Sequence, residues 1–570
     1  MAKLRWLLQT ESADAPRKLL EKNLNIDSVT ASVLVRHGIT TYEKARQYFA
    51  PEWSDLHDPF LMCDMDKAVS RIMAAMDNRE RVLVYGDFDV DGTTSVTLIT
   101  LAFDMLGVSY EYHIPDRYVE GYGLSYQGID FGVSKNCTLM ICLDCGTRAH
   151  TYVEYAVQSG LDVIICDHHL PDITLPPAIA VLNPKRKDCS YPFKELTGCG
   201  IGFKLLCALW TRLNRTDFVW EYFSDLVTLS VACDLVPITD ENRVISFHGL
   251  KKIQNNPLPG IAVLKSLANN QRAWEVSDLV FFLGPRVNAA GRINHARHAV
   301  EVLRGKTESL EQDASFLEDS NETRRILENE IYNECVEIIE QSPYLLGNAS
   351  IVLWRAHWKK GVIGIVASKL IERYYKPTIL FTLADNKWVG SCRSVHDFDI
   401  HEAINRCSEY VVQFGGHKYA AGLTVSDDNI ESFAEAFEQT CQREIRFEQT
   451  FVPLFIEAVI NFGNITDKFF RLQQRMSPFG PENMIPLYQV NGATLLNYRV
   501  LKEKHLKLTL RQDKVIMEGI AFGMADRVSE LETAKSVAVV FSLEINSLPN
   551  RNNPNRNNLQ LRIRDFKPHA

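Results

Sequence analysis

At 570 residues the chain is too long for one hydrophobic core, and two to four domains are expected. Hydrophobic residues at 46% and charged residues at 23% are ordinary for a globular protein, and no apolar run approaches the ~20 residues of a membrane span. The net charge of −9 excludes a uniformly basic nucleic-acid binder, although local clusters can still bind phosphates.

Two such clusters are present. "GPRVNAAGRINHARHAVEVLRGK" holds Arg286, Arg292, Arg297, Arg304 and Lys306 against Glu301, and the tail holds Arg551, Arg556, Arg562, Arg564 and Lys567 against Asp565. The apolar stretch in "MAKLRWLLQTESAD" is too short for a secretory signal. The 13 cysteines read as scattered, without a C-x-x-C pair or regular spacing, so neither a zinc site nor a disulfide framework is indicated, which fits reduced thiols and a cytoplasmic location.

Along the chain, residues 1–60 read as short helices. From 81 to 184 the pattern is strand, loop, helix, repeated. "RVLVYG" precedes a helical stretch over 94–106, closed by Gly107 as a natural helix terminator. "TLMICLDCG", "LDVIICDHH" and "AIAVLNP" are further continuous apolar runs, with a helix over 152–158 between the first two. Continuous apolar strands separated by helices predict a parallel sheet covered on both faces.

The stretch 306–342 has no Pro or Gly and places Leu310, Ala314, Leu317, Leu327, Ile331, Cys335 and Ile338 on one stripe, as in a long connecting helix. "ASIVLWRA" opens a second α/β region. After 450 the apolar runs shorten and alternate, as in "HLKLTLRQD" and "LQLRIRDF", which suits a small barrel such as an OB-fold. The expected division is 1–60 helical, 61–305 a parallel-sheet domain, 306–342 a connecting helix, 343–447 a second α/β domain and 450–570 the β-rich domain.

Three apolar strands end in acids. "VLVYGDFDVDG" leads into Asp87, Asp89 and Asp91, "LDCG" ends at Asp144, and a third run ends at Asp167, His168 and His169. Open parallel sheets bind ligands at the carboxyl ends of their strands, so these residues are expected to converge. Asp234 in "LSVACDLVPI" is a further candidate. Carboxylates crowded this closely repel unless cations separate them, and two divalent ions would bring Asp89, Asp91, Asp144 and Asp234 near neutrality. Mixed carboxylate and imidazole donors favour Mn²⁺, with Mg²⁺ as the second choice. Cys142, Cys145 and Cys166 keep zinc open.

Outside this cluster, "GSCRSVHDFDIHEAI" puts Ser391, Arg393 and Ser394 behind Gly390 in a turn suited to phosphate. "FGGHKYAAG" adds Gly415, Gly416 and His417. Arg117, Tyr118 and Tyr122 in "HIPDRYVEGYGL" combine charge with rings that can stack on bases. Arg286 reads either as a phosphate contact or as a buried ion pair. Arg562 and Arg564, two apart in a strand, share one face, with Leu561, Ile563 and Asp565 on the other.

"GDFDVDG", "LDCG", "DHH" and "ACDLVP", in that order, resemble the motifs of the DHH phosphoesterase superfamily. "GPRVNAAGR", "GVIGIVASKL", "GSCRS" and "GGHKYAAG" resemble its RecJ branch, the single-stranded-DNA-specific exonucleases. The likeness covers about 55–445, and the tail is similar to the OB-fold domain of that branch. The resemblance implies an α/β architecture: a parallel-sheet DHH catalytic domain, a long helix, a second α/β substrate-binding domain and a C-terminal OB-like domain.

It further implies Mn²⁺- or Mg²⁺-dependent 5′→3′ hydrolysis of single-stranded DNA to 5′-mononucleotides, in DNA repair and recombination. By motif, Asp89, Asp91, Asp144, His168 and Asp234 would be metal ligands, with His169 facing the scissile phosphate and Asp167 orienting its neighbours. Asp87 stays open as ligand or support. Ser391, Arg393, Ser394, Gly415, Gly416 and His417 would grip the DNA end. Single-strand-binding protein and a helicase are implied partners of a monomer. Two rival readings are a DHH phosphoesterase for short oligonucleotides or other small phosphodiesters, and a nucleic-acid-binding scaffold with a decayed site. The basic last strand disfavours the first rival, and the intact acids and histidines disfavour the second.

Overall fold

The computed structural model describes every residue except 1–2, 11–12, 271, 385, 533, 546–558 and 570. The chain forms two compact units, one of 46–325 with 477–484, the other of 1–45, 326–476 and 485–570.

The first unit is built on five parallel strands in the order Ser109–His113, Arg81–Gly86, Cys137–Leu143, Asp162–Cys166, Ala180–Leu182. The three central strands are apolar and nearly wholly buried. One cluster fills the face covered by the helices Val90–Leu106, Gly198–Arg212 and Thr216–Cys233, and another, around Leu83, Met140 and Ile165, fills the opposite face. That is the two-sided burial that continuous apolar strands predict. The strand order reverses between Arg81–Gly86 and Cys137–Leu143, which opens a crevice at their carboxyl ends.

Register decides what stands at that edge. Gly86 pairs with Leu143, Leu143 with Cys166, and Cys166 with Leu182. The next residues, Asp87, Asp144, Asp167 and Asn183, therefore leave the sheet side by side.

The second unit holds a mixed sheet in the order Val411–His417, Ala420–Ser426, Lys387–Arg393, Thr378–Ala384, Ile351–Trp354, the last pair parallel and the rest antiparallel. It also holds a barrel. Tyr488–Leu501 pairs with His505–Gln512, then Val515–Ala521, Leu559–His569 and Ser536–Ile545, which pairs back to Tyr488–Leu501. Closure removes the free edges, and alternating Leu506, Leu508 and Leu510 fill the interior.

The helix Leu310–Gln341 begins in the first unit and ends in the second. The N-terminal stretch is not wholly helical. Leu4–Leu8 is a strand that pairs in parallel with Val452–Ile456, and the Trp6 Nε1–H donates to Asp565 in the barrel at 2.6 Å. A five-residue strand has no local signal strong enough to identify it when its partner lies some 450 residues away.

Candidate metal and phosphate site

The acidic loop is shaped by close backbone packing. Asp89 caps the helix Val90–Leu106 and accepts the Gly92 N–H at 3.1 Å. A Cβ on Gly92 would lie 2.3 Å from the Asp87 carbonyl oxygen, so only glycine lets the helix start against the strand end. Asp91, one residue into the helix, accepts the Gly198 and Cys199 N–H groups at 2.6 and 2.8 Å and the Ser230 hydroxyl at 2.7 Å. Asp144 is held with φ of +60°, a costly conformation for a non-glycine residue. A Cβ on Gly198 would lie 2.7 Å from the Asp144 Cα, so the helix Gly198–Arg212 starts hard against it.

His168 Nε2 lies 3.3 Å from Asp144 Oδ1, 3.6 Å from Asp234 Oδ2 and 3.8 Å from Asp91 Oδ2. Asp234 comes from the C-terminal cap of the helix Thr216–Cys233 rather than from a strand. Three overlapping clusters have donor atoms within 4.8 Å of one another: Asp144, His168 and His169; Asp91, His168 and Asp234; Asp87, Asp89 and Asp144. Asp87 thus stands with the other acids, its carboxylate also 3.5 Å from the Gly123 N–H.

Electrostatics make this grouping costly without a cation. Burial, then the charges of neighbouring aspartates, pushes Asp87, Asp144 and Asp234 well above the usual carboxylate range. Burial and Asp91 raise Asp89, while burial lowers His168 towards its neutral, ligand form. Asp87 Oδ2, Asp144 Oδ1 and His168 Nδ1 are buried without a hydrogen bond. The orphaned Asp87 and Asp144 oxygens, with His168 Nε2 beside Asp144, Asp234 and Asp91, form a donor set that fits divalent cations of the Mn²⁺ and Mg²⁺ type. Cys142 and Cys145 do stand in C-x-x-C spacing around Asp144, but burial pushes both thiols far from ionisation. No cysteine joins a cluster among the described residues.

Asp167 has a different task. Its Oδ2 accepts the Thr147 N–H at 2.9 Å and its Oδ1 accepts from His169 Nδ1 at 2.7 Å. Although burial opposes it, the His169 contact holds Asp167 well below the usual range, and the same contact raises His169. This aims His169 Nε2 outward, 3.1 Å from the Tyr122 hydroxyl. Asn183 fixes the other side by donating to the His169 carbonyl at 2.8 Å and to Thr147 Oγ1 at 3.1 Å. Sequence reasoning missed Asn183, Ser230 and the Gly198 amide. For Asn183 a signal existed, since "AIAVLNP" is the fourth apolar strand and Asn183 is its first residue beyond the sheet.

Arg117 lies over the Phe88 ring at 3.8 Å and donates to the Gly291 carbonyl at 3.1 Å, within the field of Asp87 and Asp89. The phosphate reading of Arg286 is not supported. Its guanidinium is buried, paired with Glu318 and donating to the carbonyls of Phe282 and Leu267, so its nitrogens are taken by the protein.

In the second unit the expected turn around Ser391 is the strand Lys387–Arg393. Antiparallel pairing on both sides keeps it extended. Register aligns Ser391 with Gly422 and Gly415, and Arg393 with Ala420 and His417, on one face of the sheet. Gly416 shares that strand, and Ser394 follows as a loop anchor, its hydroxyl donating to the Phe398 carbonyl at 2.7 Å. Arg393 donates to the Cys392 carbonyl at 2.8 Å and to Ser391 Oγ at 3.3 Å, and no carboxylate among the described residues pairs with it. A Cβ on Gly364 would lie 2.7 Å from Ser391 Oγ and 3.2 Å from Arg393 Nη2, so the helix of "GVIGIVASKL" packs closely against these two side chains on the same face.

On the barrel, Arg562 is exposed and lies 5.5 Å from the Phe522 ring, Arg564 is half-buried, and Leu561, Ile563 and Asp565 face inward. Arg551 and Arg556 lie outside the described residues.

Family models match three parts of the chain: the DHH family N-terminal domain over 81–230, the DHHA1 domain over 347–443 and the RecJ OB domain over 456–565. The chain is 33% identical to the single-stranded-DNA-specific exonuclease RecJ of Bacillus subtilis, over 99% of this chain and 71% of that protein. It is 32% identical to the Escherichia coli protein of the same name, over 85% of this chain and 87% of that one. Its fold matches the crystal structure of Thermus thermophilus RecJ in complex with Mn²⁺ with a TM-score of 0.83 at 23% identity, over 100% of this chain and 80% of that chain. It also matches a manganese-bound exonuclease RecJ with a TM-score of 0.58 at 27% identity, over 68% of this chain and 98% of that chain.

Proposed function

Because the chain belongs to the RecJ family of single-stranded-DNA-specific exonucleases, we propose that it hydrolyses single-stranded DNA from the 5′ end, releasing 5′-mononucleotides. The observation that carries this reading is the convergence of Asp87, Asp89, Asp91, Asp144, His168 and Asp234 on one pocket with orphaned donor atoms. Asp89, Asp91, Asp144, His168 and Asp234 would hold two divalent ions, with Asp87 as a further ligand or support. When bound, such ions activate water and neutralise phosphate oxygens.

The chain's own residues do the rest. Asp167 holds His169 in one orientation and keeps it inclined to bear a proton, so its Nε2 can donate to a phosphate oxygen. Tyr122 braces that nitrogen. Arg117 balances part of the acidic charge beside the scissile bond. Ser391 and Arg393, on a face thinned by Gly415 and Gly422, would form a cradle for a terminal phosphate, with Gly416, Ser394 and His417 at its margin. The exposed Arg562, with Arg564, offers a track for the backbone of a longer strand.

The 13 free cysteines of the structure support a reducing, cytoplasmic setting. Single-strand-binding protein and a helicase are the partners that family membership suggests, in DNA repair and recombination. The test is degradation of 5′-phosphorylated, 5′-hydroxyl and duplex oligonucleotides, with and without Mn²⁺. Mn²⁺-dependent loss of the 5′-phosphorylated single strand as mononucleotides is the expected result. Attack on duplex at the same rate, or release of nucleotides from the 3′ end, would overturn the reading.

A further inference from the structure

One side of the acidic pocket is formed by a helix that contributes no ligand to it, Gly284–Ile293. Two glycines mark the face this helix presents. A Cβ on Gly284 would lie 2.5 Å from Cys233 Sγ, and a Cβ on Gly291 would lie 2.9 Å from the Phe88 carbonyl oxygen. Cys233 immediately precedes Asp234, and its thiol is raised by burial and then by Asp89, Asp234 and Asp91. Phe88 immediately precedes Asp89. The helix therefore spans the pocket from the Asp234 side to the Asp89 side.

Position 288 stands four residues after 284 and three before 291, so it shares that face. Its occupant, Asn288, has a buried Oδ1 with no hydrogen-bond partner. Buried amide oxygens are nearly always paired, and an exception calls for a cause. The face it shares runs from Cys233, next to Asp234, to Phe88, next to Asp89. Those carboxylates are acceptors when ionised, as they would be around bound cations, and an acceptor cannot satisfy an acceptor. Arg286, on the same helix, is committed to Glu318. A donor can arrive with a bound molecule, and one molecule with a free O–H that this reaction brings to the pocket is the attacking water.

We propose that Asn288 orients the attacking water, its Oδ1 accepting one hydrogen bond so that a lone pair of the water faces the scissile phosphorus. This rests on the hydrolytic reading above. The O–P bond forms from that lone pair, the leaving sugar oxygen departs on the opposite side, and the water's protons pass to solvent and the leaving group.

The experiment uses the full chain and the variants Asn288→Ala and Asn288→Asp. It measures kcat and KM on a 5′-phosphorylated single strand at saturating Mn²⁺, together with the melting temperature without metal and its rise on adding Mn²⁺. For Asn288→Ala, kcat should fall about tenfold or more while KM stays within about twofold, as for a contact made at the reacting atoms. Its metal-free melting temperature should be unchanged or higher, because the amide oxygen it removes was unpaired. The Mn²⁺-induced rise should persist. Asn288→Asp, which keeps an acceptor oxygen, should retain more kcat than Asn288→Ala.

Unchanged kcat in Asn288→Ala would overturn the proposal. So would a fall in kcat accompanied by a lower metal-free melting temperature, which marks a structural amide, or by loss of the Mn²⁺-induced rise, which marks a metal ligand. A wild-type chain inactive on single strands would instead sink the hydrolytic reading itself.

Discussion

At the scale of single residues, buried charge governs both stability and chemistry. Burial and its neighbours push the Asp144 carboxyl well up, so its charged form burdens the metal-free fold at neutral pH. The sign follows from linkage: a raised carboxylate costs nothing below its unfolded pKa and its full penalty above its folded one. Asp144→Asn should therefore melt at the same or a higher temperature than wild type near pH 7 without metal, yet lose hydrolysis. A lower melting temperature without metal would show that Asp144 supports the fold instead.

Glu120 has the opposite sign. Its side chain bridges His113 at 2.9 Å, the Asp116 N–H at 2.9 Å and the Ser125 hydroxyl, and these contacts outweigh burial and lower its pKa from 4.5 to about 2. Its contribution, at most about 3 kcal/mol, is full above pH ~4.5 and is lost as pH falls towards ~2. Glu120→Gln should lower stability at pH 7, with a gap to wild type that narrows between about pH 5 and pH 3. Chemical denaturation at several pH values measures this. Because Glu120 sits between Arg117 and Tyr122, the same variant should loosen the loop that carries both.

At the scale of elements, helix starts are pressed against strand ends. The Gly92 position faces backbone atoms of Asp87 at 2.3, 2.5 and 2.6 Å, which cannot rotate away as a side chain could. Gly92→Ala should cost about 1–3 kcal/mol by overpacking and should also reduce turnover, since Asp89 and Asp91 ride on the displaced helix. Gly107, at the other end of that helix, has φ of +68° and nothing within 4 Å of a Cβ. Gly107→Ala should cost about 1 kcal/mol through backbone strain alone and leave turnover unchanged. Parallel urea titrations and turnover assays separate the two effects; equal loss of turnover in both would mean that the loop does not depend on this close approach.

At the scale of the whole molecule, long substrates should feel surfaces outside the acidic pocket. Arg562 projects from the barrel strand Leu559–His569, and Arg564 follows two residues later. Replacing both by Ala should weaken binding of a long single strand and make its salt dependence shallower by about 0.7 for each phosphate that is no longer neutralised. Cleavage of very short oligonucleotides should change little. An unchanged slope on a long strand would mean that this face carries no DNA. The barrel also has a stake in the N-terminus, because Trp6 donates to the buried Asp565 carboxylate, which Arg527 pairs at 2.6 Å. Trp6→Ala should therefore destabilise the second unit while leaving Mn²⁺ binding in the first unit intact.

Which elements form is written in local pattern. Unbroken apolar runs such as "LMICL" have to be buried on both faces, so a parallel sheet with acids at its strand ends is legible in the sequence alone. The alternating "HLKLTLRQ" likewise announced a half-buried barrel strand. How those strand ends combine is a matter of long-range assembly. Register between strands, which local pattern leaves open, set Asp87, Asp144, Asp167 and Asn183 in one row. Helix packing brought the Gly198 amide and Ser230 onto Asp91, across more than 100 residues of chain. The same packing turned Arg286 inward to Glu318, extended the glycine-bounded Ser391 segment into a strand and joined the first strand of the chain to its last third. Local pattern reports the energy of one element at a time, whereas register, burial of charge and pairing over hundreds of residues are properties of the assembled fold.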